Sequence, residues 1–301
     1  MGLFRVAIAG VLSVVAAAGC APPATQSGTV AVVASFYPLF EFAQRVGGDR
    51  VTVRVLVPAG VEPHDFEPTP RDVAALTNAR VVIYNGAGFE PWLEKVLPDL
   101  PAAVKVDASR GLPLHRGAGG GDETAGERDP HVWLDPVLAA AQAARIVEGL
   151  SEADPAGREV YGQHGARLAA DLRALDQRFA SALASCRRRV FITSHAAFGY
   201  LARRYGLTQV AISGLSPESE PPPGRMREIV AEARRTGTTV IYYETLVSPR
   251  VAEVLAREVG ARVAVLNPLE GLSPDDQRRG QNYFTVMDEN LRALTDGLGC
   301  H

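Results

Sequence analysis

The sequence predicts an α/β protein of two lobes, each with a mainly parallel sheet flanked by helices, joined by one long rigid backbone helix. Two observations carry this. Strand-like and helix-like segments alternate from Thr29 onward and do so again after Cys186, and such alternation implies parallel sheets with helices on both faces. Between them, from Pro155 to Cys186, the period changes: Leu168, Leu172, Leu175, Phe179 and Leu183 recur at helical spacing. One helix of roughly 30 residues extends about 45 Å, enough to brace two lobes.

The elements follow in order. TVAVVASFYPL, from Thr29 to Leu39, reads as a buried strand, and FEFAQRVGG after it as a helix closed by Gly47 and Gly48. Val51 to Leu56 alternates as a strand, and TPRDVAALTNA is a helix with Thr69 as N-cap and Pro70 in its first turn. Arg80 to Gly86 is a third strand, followed by a helix that opens at Glu90 with Pro91 and Trp92. The second half repeats this logic: RRVFITSH, TQVAIS, TTVIYYE and ARVAVLN are strands, separated by AAFGYLARRYG, GRMREIVAEARRTG and SPRVAEVLAREVG as helices, the last capped by Ser248 with Pro249 at its first position. His195, Glu244 and Asn267 each fall at the end of a strand, where open α/β sheets bind ligands. Gly86 and Gly88 in NGAGFE lack the third glycine of a dinucleotide fingerprint and serve a tight turn.

Residues 1–20 read as an export signal: Arg5, an uncharged apolar run from Val6 to Ala18, then small residues before Cys20. The run falls well short of the roughly 20 residues that span a bilayer. Its end resembles the lipobox of bacterial lipoproteins, which makes Cys20 the lipidated first residue of a membrane-anchored protein; a soluble exported protein cut near the same point is the alternative. Residues 21–28, with the composition of a tether, lead to an N-terminal lobe over 29–150, a linking helix over 151–186 and a C-terminal lobe over 187–301. The net charge of −3 offers no basic field for nucleic acid. Export leaves Cys186 and Cys300 as an even pair in an oxidising compartment, so a Cys186–Cys300 disulfide is expected.

Of six histidines, three sit in strand-end or loop settings far apart in the chain: His64 in VEPHDFEPTP, His131 in DPHVWLDP and His195 in ITSHAAFGY. Three imidazoles suit zinc best among common cellular ions, with manganese or iron possible beside a carboxylate. The spacing forbids a local motif, so only the tertiary structure can assemble the site. His164 is expected on the exposed flank of the long helix, and His301 at a frayed end. His115 opens a glycine-rich acidic segment, with Asp122, Glu123 and Glu127, that reads as a plain loop over 116–128.

The segments SFYPL, GVEPHDFEPTP, DPHVWLDP, SHAAFGYLARRYGL, GLSPESEPPPG and NPLEGL, in that order, resemble the metal-binding lipoproteins of ATP-driven zinc and manganese importers, the cluster A-I solute-binding proteins. The resemblance runs from Val30 to Leu298. It implies two α/β lobes joined by a long helix, an ion at their interface, and delivery to an ABC permease. Carried over, the ligands fall on His64, His131 and His195; histidine at the third position implies a zinc-type member, glutamate there a manganese-type one. The fourth position, often aspartate in the family, falls on Asn267; Asn267 itself, Glu244 or water then completes the site. Asp65 and Asp135 are candidates either to orient ligand imidazoles or to cap helices and turns. Glu218 and Glu220 are expected at the rim, facing the permease.

These residues lead to a non-enzymatic, monomeric, exported protein that captures Zn²⁺ between its lobes for import. A manganese- or iron-binding member of the same family is one alternative. A zinc hydrolase, which needs an open coordination place, and a surface adhesin are the alternatives from other classes.

Overall fold

The computed structural model describes residues 1–2, 28–100, 102–117, 127–217 and 221–301. The export signal from residue 3 on, with Cys20, the tether up to residue 27, Asp122, Glu123, Glu218 and Glu220 lie outside the described residues.

The first lobe is built from β1 (Val30–Ala34), α1 (Tyr37–Gly47), β2 (Val51–Val55), α2 (Pro70–Thr77), β3 (Val81–Tyr84), α3 (Pro91–Val96), β4 (Val104–Asp107) and α4 (Pro136–Ala153). The long helix α5 (Arg158–Leu183) follows. The second lobe comprises β5 (Val190–Thr193), α6 (Gly199–Arg204), β6 (Thr208–Ala211), α7 (Pro223–Thr236), β7 (Val240–Tyr243), α8 (Arg250–Val259), β8 (Arg262–Val265), α9 (Pro274–Arg278) and α10 (Tyr283–Leu298). The strands run in the orders β2-β1-β3-β4 and β6-β5-β7-β8, and every pairing is parallel. The halves therefore share one topology, as alternating β/α units require.

Local chemistry explains where the elements begin and where expectation and structure part. The expected strand from Thr29 to Leu39 is shorter: β1 ends at Ala34, and Pro38 lies in the first turn of α1, where its missing N–H costs nothing. At α2 the Thr69 hydroxyl accepts from Asp72 N while the Asp72 carboxylate accepts from Thr69 N, a reciprocal capping box. The third helix of the second half starts one residue later than expected, with Pro249 as its N-cap residue and Arg250 as its first helical one. β4, α4 and α10 carry weaker sequence signals, and α4 is rich in alanine rather than in a sharp apolar stripe.

Helix α5 is shorter than the Pro155–Cys186 expectation, because a 3-10 turn over Pro155–Gly157 precedes it. At 26 residues it still extends about 39 Å, and it touches both halves. Near its start the Tyr161 hydroxyl donates to Asp154, and His164 Nδ1 lies 3.0 Å from the Val46 carbonyl of α1. His164 is thus half-buried and hydrogen-bonded rather than free in solvent. Near the other end Phe179 stacks on Tyr205 of the second lobe. The Cys186–Cys300 disulfide, spanning 114 positions of sequence, ties the residues just beyond α5 and α10.

The lobes meet through buried contacts. Trp133 Nε1 donates to the Pro268 carbonyl at 2.7 Å, and the Tyr283 hydroxyl donates to the Trp133 carbonyl at 2.5 Å. The Glu41 carboxylate of α1 accepts from Tyr283 N at 2.7 Å. One hydrophobic core containing Phe36, Phe42, Trp133, Phe191 and Tyr283 continues across the junction, and a second, with Ile192, Ile212, Ile229 and Leu255, lies inside the second lobe. No described helix is long and apolar enough to cross a membrane.

Candidate metal centre

The connections leaving the carboxyl ends of the strands carry the site. His64 lies between β2 and α2, His131 between β4 and α4, His195 just after β5, and Glu270 in the loop after β8. Two lobes facing each other along these edges bring together side chains separated by up to 206 positions. His131 and His195 are fully buried and Glu270 is 1% exposed; the His64 side chain is 12% exposed, so it stands on the solvent side of the cluster.

The donor atoms stand close to one another. Glu270 Oε1 is 3.1 Å from His131 Nε2, 3.1 Å from His195 Nε2 and 3.4 Å from His64 Nε2. His131 Nε2 and His195 Nε2 are 3.4 Å apart, and all four donors lie within 4.8 Å of one another. A tetrahedral zinc site with metal–donor bonds of about 2.0–2.1 Å has edges of about 3.3–3.4 Å. Four of the six edges are thus close to the tetrahedral length. The second oxygen of Glu270 is buried without a hydrogen-bond partner, so that oxygen is not committed to a protein donor.

Carboxylates outside the cluster orient two of the rings. His131 Nδ1 donates to Asp129 Oδ1 at 2.8 Å, and His195 Nδ1 donates to Glu244 Oε1 at 2.6 Å. Each bond turns Nε2 toward the common centre and makes the ring more basic. Phe89 packs edge-on against His64 at 4.9 Å. It sits at the end of a turn in which Gly86, Ala87 and Gly88 all have positive φ, and the Glu90 carboxylate accepts from Asn85 N and Gly86 N to hold that turn.

The electrostatics follow from burial set against these partners. Burial pushes His64 below the ordinary imidazole range. Burial opposes charge on His131 too, yet the hydrogen bonds to Asp129 and Glu270 outweigh it and raise its pKa. His195 is likewise buried, but the charges of Glu244 and Glu270 hold it well above 6.5. Burial would raise Glu270; the charge of His195 and hydrogen bonds from three imidazoles instead hold it well below the usual carboxylate range. Glu62, whose Oε1 accepts from His64 N, is pushed up to about 8 by burial and the neighbouring charge of Glu270.

The structure brings His64, His131 and His195 together as their sequence settings suggest, but the fourth converging side chain is Glu270. The side-chain oxygen of Asn267 is engaged within the turn itself, where it accepts from Leu269 N at 2.8 Å. Glu244 also stands outside the four, engaged by His195 Nδ1. Asp65 is exposed, and Asp135 caps α4 by accepting from Val137 N and Leu138 N; the orienting carboxylates are Asp129 and Glu244. His115 packs against Tyr200 with the rings tilted and their centroids 5.3 Å apart, where the loop base closes by a bridge between Arg116 and Arg128. Glu270 follows the strand-end Asn267 by only three positions, within NPLEGL, and a carboxylate in a turn at a strand end is the signal that marks it. Asp129 sits two residues before His131 in DPH, close enough to bond both its backbone and its ring.

A family described as zinc-uptake complex component A, periplasmic, matches residues 32–297. The chain belongs to this family. Its similarity to the high-affinity zinc uptake system protein ZnuA of Bacillus subtilis (strain 168) is 39% identity over 277 residues, covering 89% of this chain and 87% of that protein. The zinc-binding lipoprotein AdcA of Streptococcus pneumoniae serotype 4 is 38% identical over 285 residues, 91% of this chain but only 57% of AdcA, so the chain spans little more than half of that relative. The crystal structure of the Zn(II)-bound ZnuA-like domain of Streptococcus pneumoniae AdcA superposes with a TM-score of 0.79 at 37% identity, covering 90% of this chain and 99% of that domain. All four converging side chains lie within the segment matched by the zinc-uptake family, and the two-lobed parallel-sheet fold is shared with its zinc-bound relatives.

Proposed function

We propose that this chain is an extracytoplasmic zinc-binding protein that captures Zn²⁺ between its lobes and hands it to an ABC permease for import. The observation that carries the reading is the set of four donors, three imidazole Nε2 atoms and Glu270 Oε1, at near-tetrahedral separations in a buried junction. Three nitrogens and one oxygen in a tetrahedron favour zinc over manganese, which prefers more oxygen donors in octahedral array. Four protein ligands also close the coordination sphere, whereas a zinc hydrolase keeps one place for water. That supports a carrier rather than an enzyme. Membrane attachment through Cys20 and a monomeric state belong to the same reading. The family's description as periplasmic and the lipoprotein name of AdcA support export.

Competitive titration of the metal-free protein with zinc and manganese tests it. One tight zinc per chain, with manganese far weaker, is the expected result; comparable manganese binding would move the chain to the manganese-type reading, and binding of neither would sink both.

Two further outcomes follow from the surroundings of the rings. Asp129→Ala and Glu244→Ala are each expected to weaken zinc binding by about 10–100-fold, the usual loss when a ligand imidazole is no longer oriented from outside. Chelator competition reads this, and unchanged affinity would remove the carboxylate from the orienting role. Zinc must also displace protons from imidazoles whose pKa values are raised in the metal-free protein, His195 most clearly. Protonation therefore competes with zinc: affinity is expected to fall as pH drops, and binding releases protons. Calorimetry in buffers of different ionisation enthalpy measures that release, and a buffer-independent enthalpy would contradict it.

A further inference from the structure

Glu270 reaches the histidines from a loop, so its carboxylate is only as well placed as the backbone before it. That backbone is bonded at successive residues. Asn267 N donates to Asn290 Oδ1 at 2.8 Å, and Asn290 Nδ2 donates back to the Asn267 carbonyl at 2.7 Å. The Pro268 carbonyl accepts from Trp133 Nε1, and Leu269 N donates to Asn267 Oδ1. Leu269, fully buried, has φ +59°, a left-handed conformation that a leucine holds only when its surroundings impose it.

Asn290 is the anomaly that organises these contacts. It sits in the interior of α10, 2% exposed, although asparagine is a poor residue for a helix interior and a costly one to bury. Its side-chain oxygen and nitrogen are both spent on Asn267, and none of its hydrogen bonds goes to the four donors of the cluster. Helix α10 has independent anchors: Tyr283 at its start bonds to Trp133, and Cys300 just beyond its end is bridged to Cys186.

We propose that Asn290 is a positioning residue for the metal centre: acting through Asn267, it clamps the loop into the turn that presents the Glu270 carboxylate to the three imidazoles. The helix that latches the two lobes at Tyr283 thereby also sets the fourth donor. This rests on the zinc reading above and deepens it.

The test is a double-mutant cycle on the full chain, with zinc affinity read by chelator competition for the wild type, Asn290→Ala, Glu270→Ala and the double variant. Asn290→Ala is expected to weaken zinc by about 10–100-fold in the wild-type background. In the Glu270→Ala background it should change affinity by no more than about twofold, the usual scatter of such cycles, because the side chain it positions is gone. In the metal-free protein the Leu269 amide should also exchange with solvent faster in Asn290→Ala. Equal losses in both backgrounds would show that Asn290 merely supports the fold and would overturn the inference, as would unchanged affinity in the single variant. Asn290→Asp keeps the acceptor for Asn267 N but loses the donor, and should give an intermediate loss if the alanine variant fails to fold. A wild-type chain that binds no zinc would overturn the zinc reading and the inference together; tight wild-type binding indifferent to Asn290 would overturn the inference alone.

Discussion

Glu270→Ala is expected to weaken zinc binding by more than the roughly 10–100-fold that loss of an outer partner costs, while leaving one site per chain. The carboxylate is the common neighbour of all three imidazoles, at 3.1 to 3.4 Å from each Nε2, and its removal deletes both the fourth ligand and the only negative donor of the set. Water would have to occupy the vacated corner, which converts a closed coordination sphere into an open one. Cobalt substitution makes the change visible as an altered absorption spectrum, and chelator competition gives the affinity. His64→Ala, His131→Ala and His195→Ala should be at least as damaging, whereas His164→Ala, whose ring bonds the Val46 carbonyl, should leave zinc binding intact. Wild-type zinc affinity in Glu270→Ala would show that the fourth place belongs to another group.

The second large effect concerns stability. Replacing Cys186 and Cys300 by serine is expected to lower the unfolding free energy by roughly 4–5 kcal/mol, the chain-entropy value for a closed loop of over a hundred residues. The bridge joins Cys186, shortly after the end of α5 at Leu183, to Cys300, shortly after the end of α10 at Leu298, so its loss frees the C-terminal helix in the unfolded ensemble without touching a metal donor. Zinc stoichiometry should therefore persist at one, and zinc at 100 times its dissociation constant should restore about 2.7 kcal/mol to the weakened chain. Urea unfolding with and without zinc reads both. A serine variant as stable as the wild type would mean that other contacts already confine that segment.

Reading from sequence succeeded where periodicity and spacing are local. The alternation of β/α units, the apolar stripe of α5 and the Thr69 N-cap are all legible, because hydrogen bonding within an element and burial of one of its faces depend on residues a few positions apart. β4 and α10, short or unremarkable in pattern, leave no comparable signal, and the apolar run that continues from β1 into Phe36 and Leu39 hides the start of α1. The three histidines stand out because they are few and sit in strand-end or loop settings. The fourth donor does not. Asn267 and Glu244 stand closer to their strand ends than Glu270 does, and only the turn through a left-handed Leu269 carries Glu270 back into the junction.

By itself the sequence determined the layered parallel-sheet architecture, the brace between lobes, the pairing of its two remaining cysteines and the imidazole chemistry of the site. The tertiary structure alone decided which carboxylate completes the donor set and which ones orient the rings. The physical reason is range: element patterns are written in neighbouring residues, whereas a distributed site depends on the angle at which two lobes meet and on single loop dihedrals. Contacts such as Trp133 to Pro268 and Asn290 to Asn267 set those dihedrals across separations that no local pattern encodes.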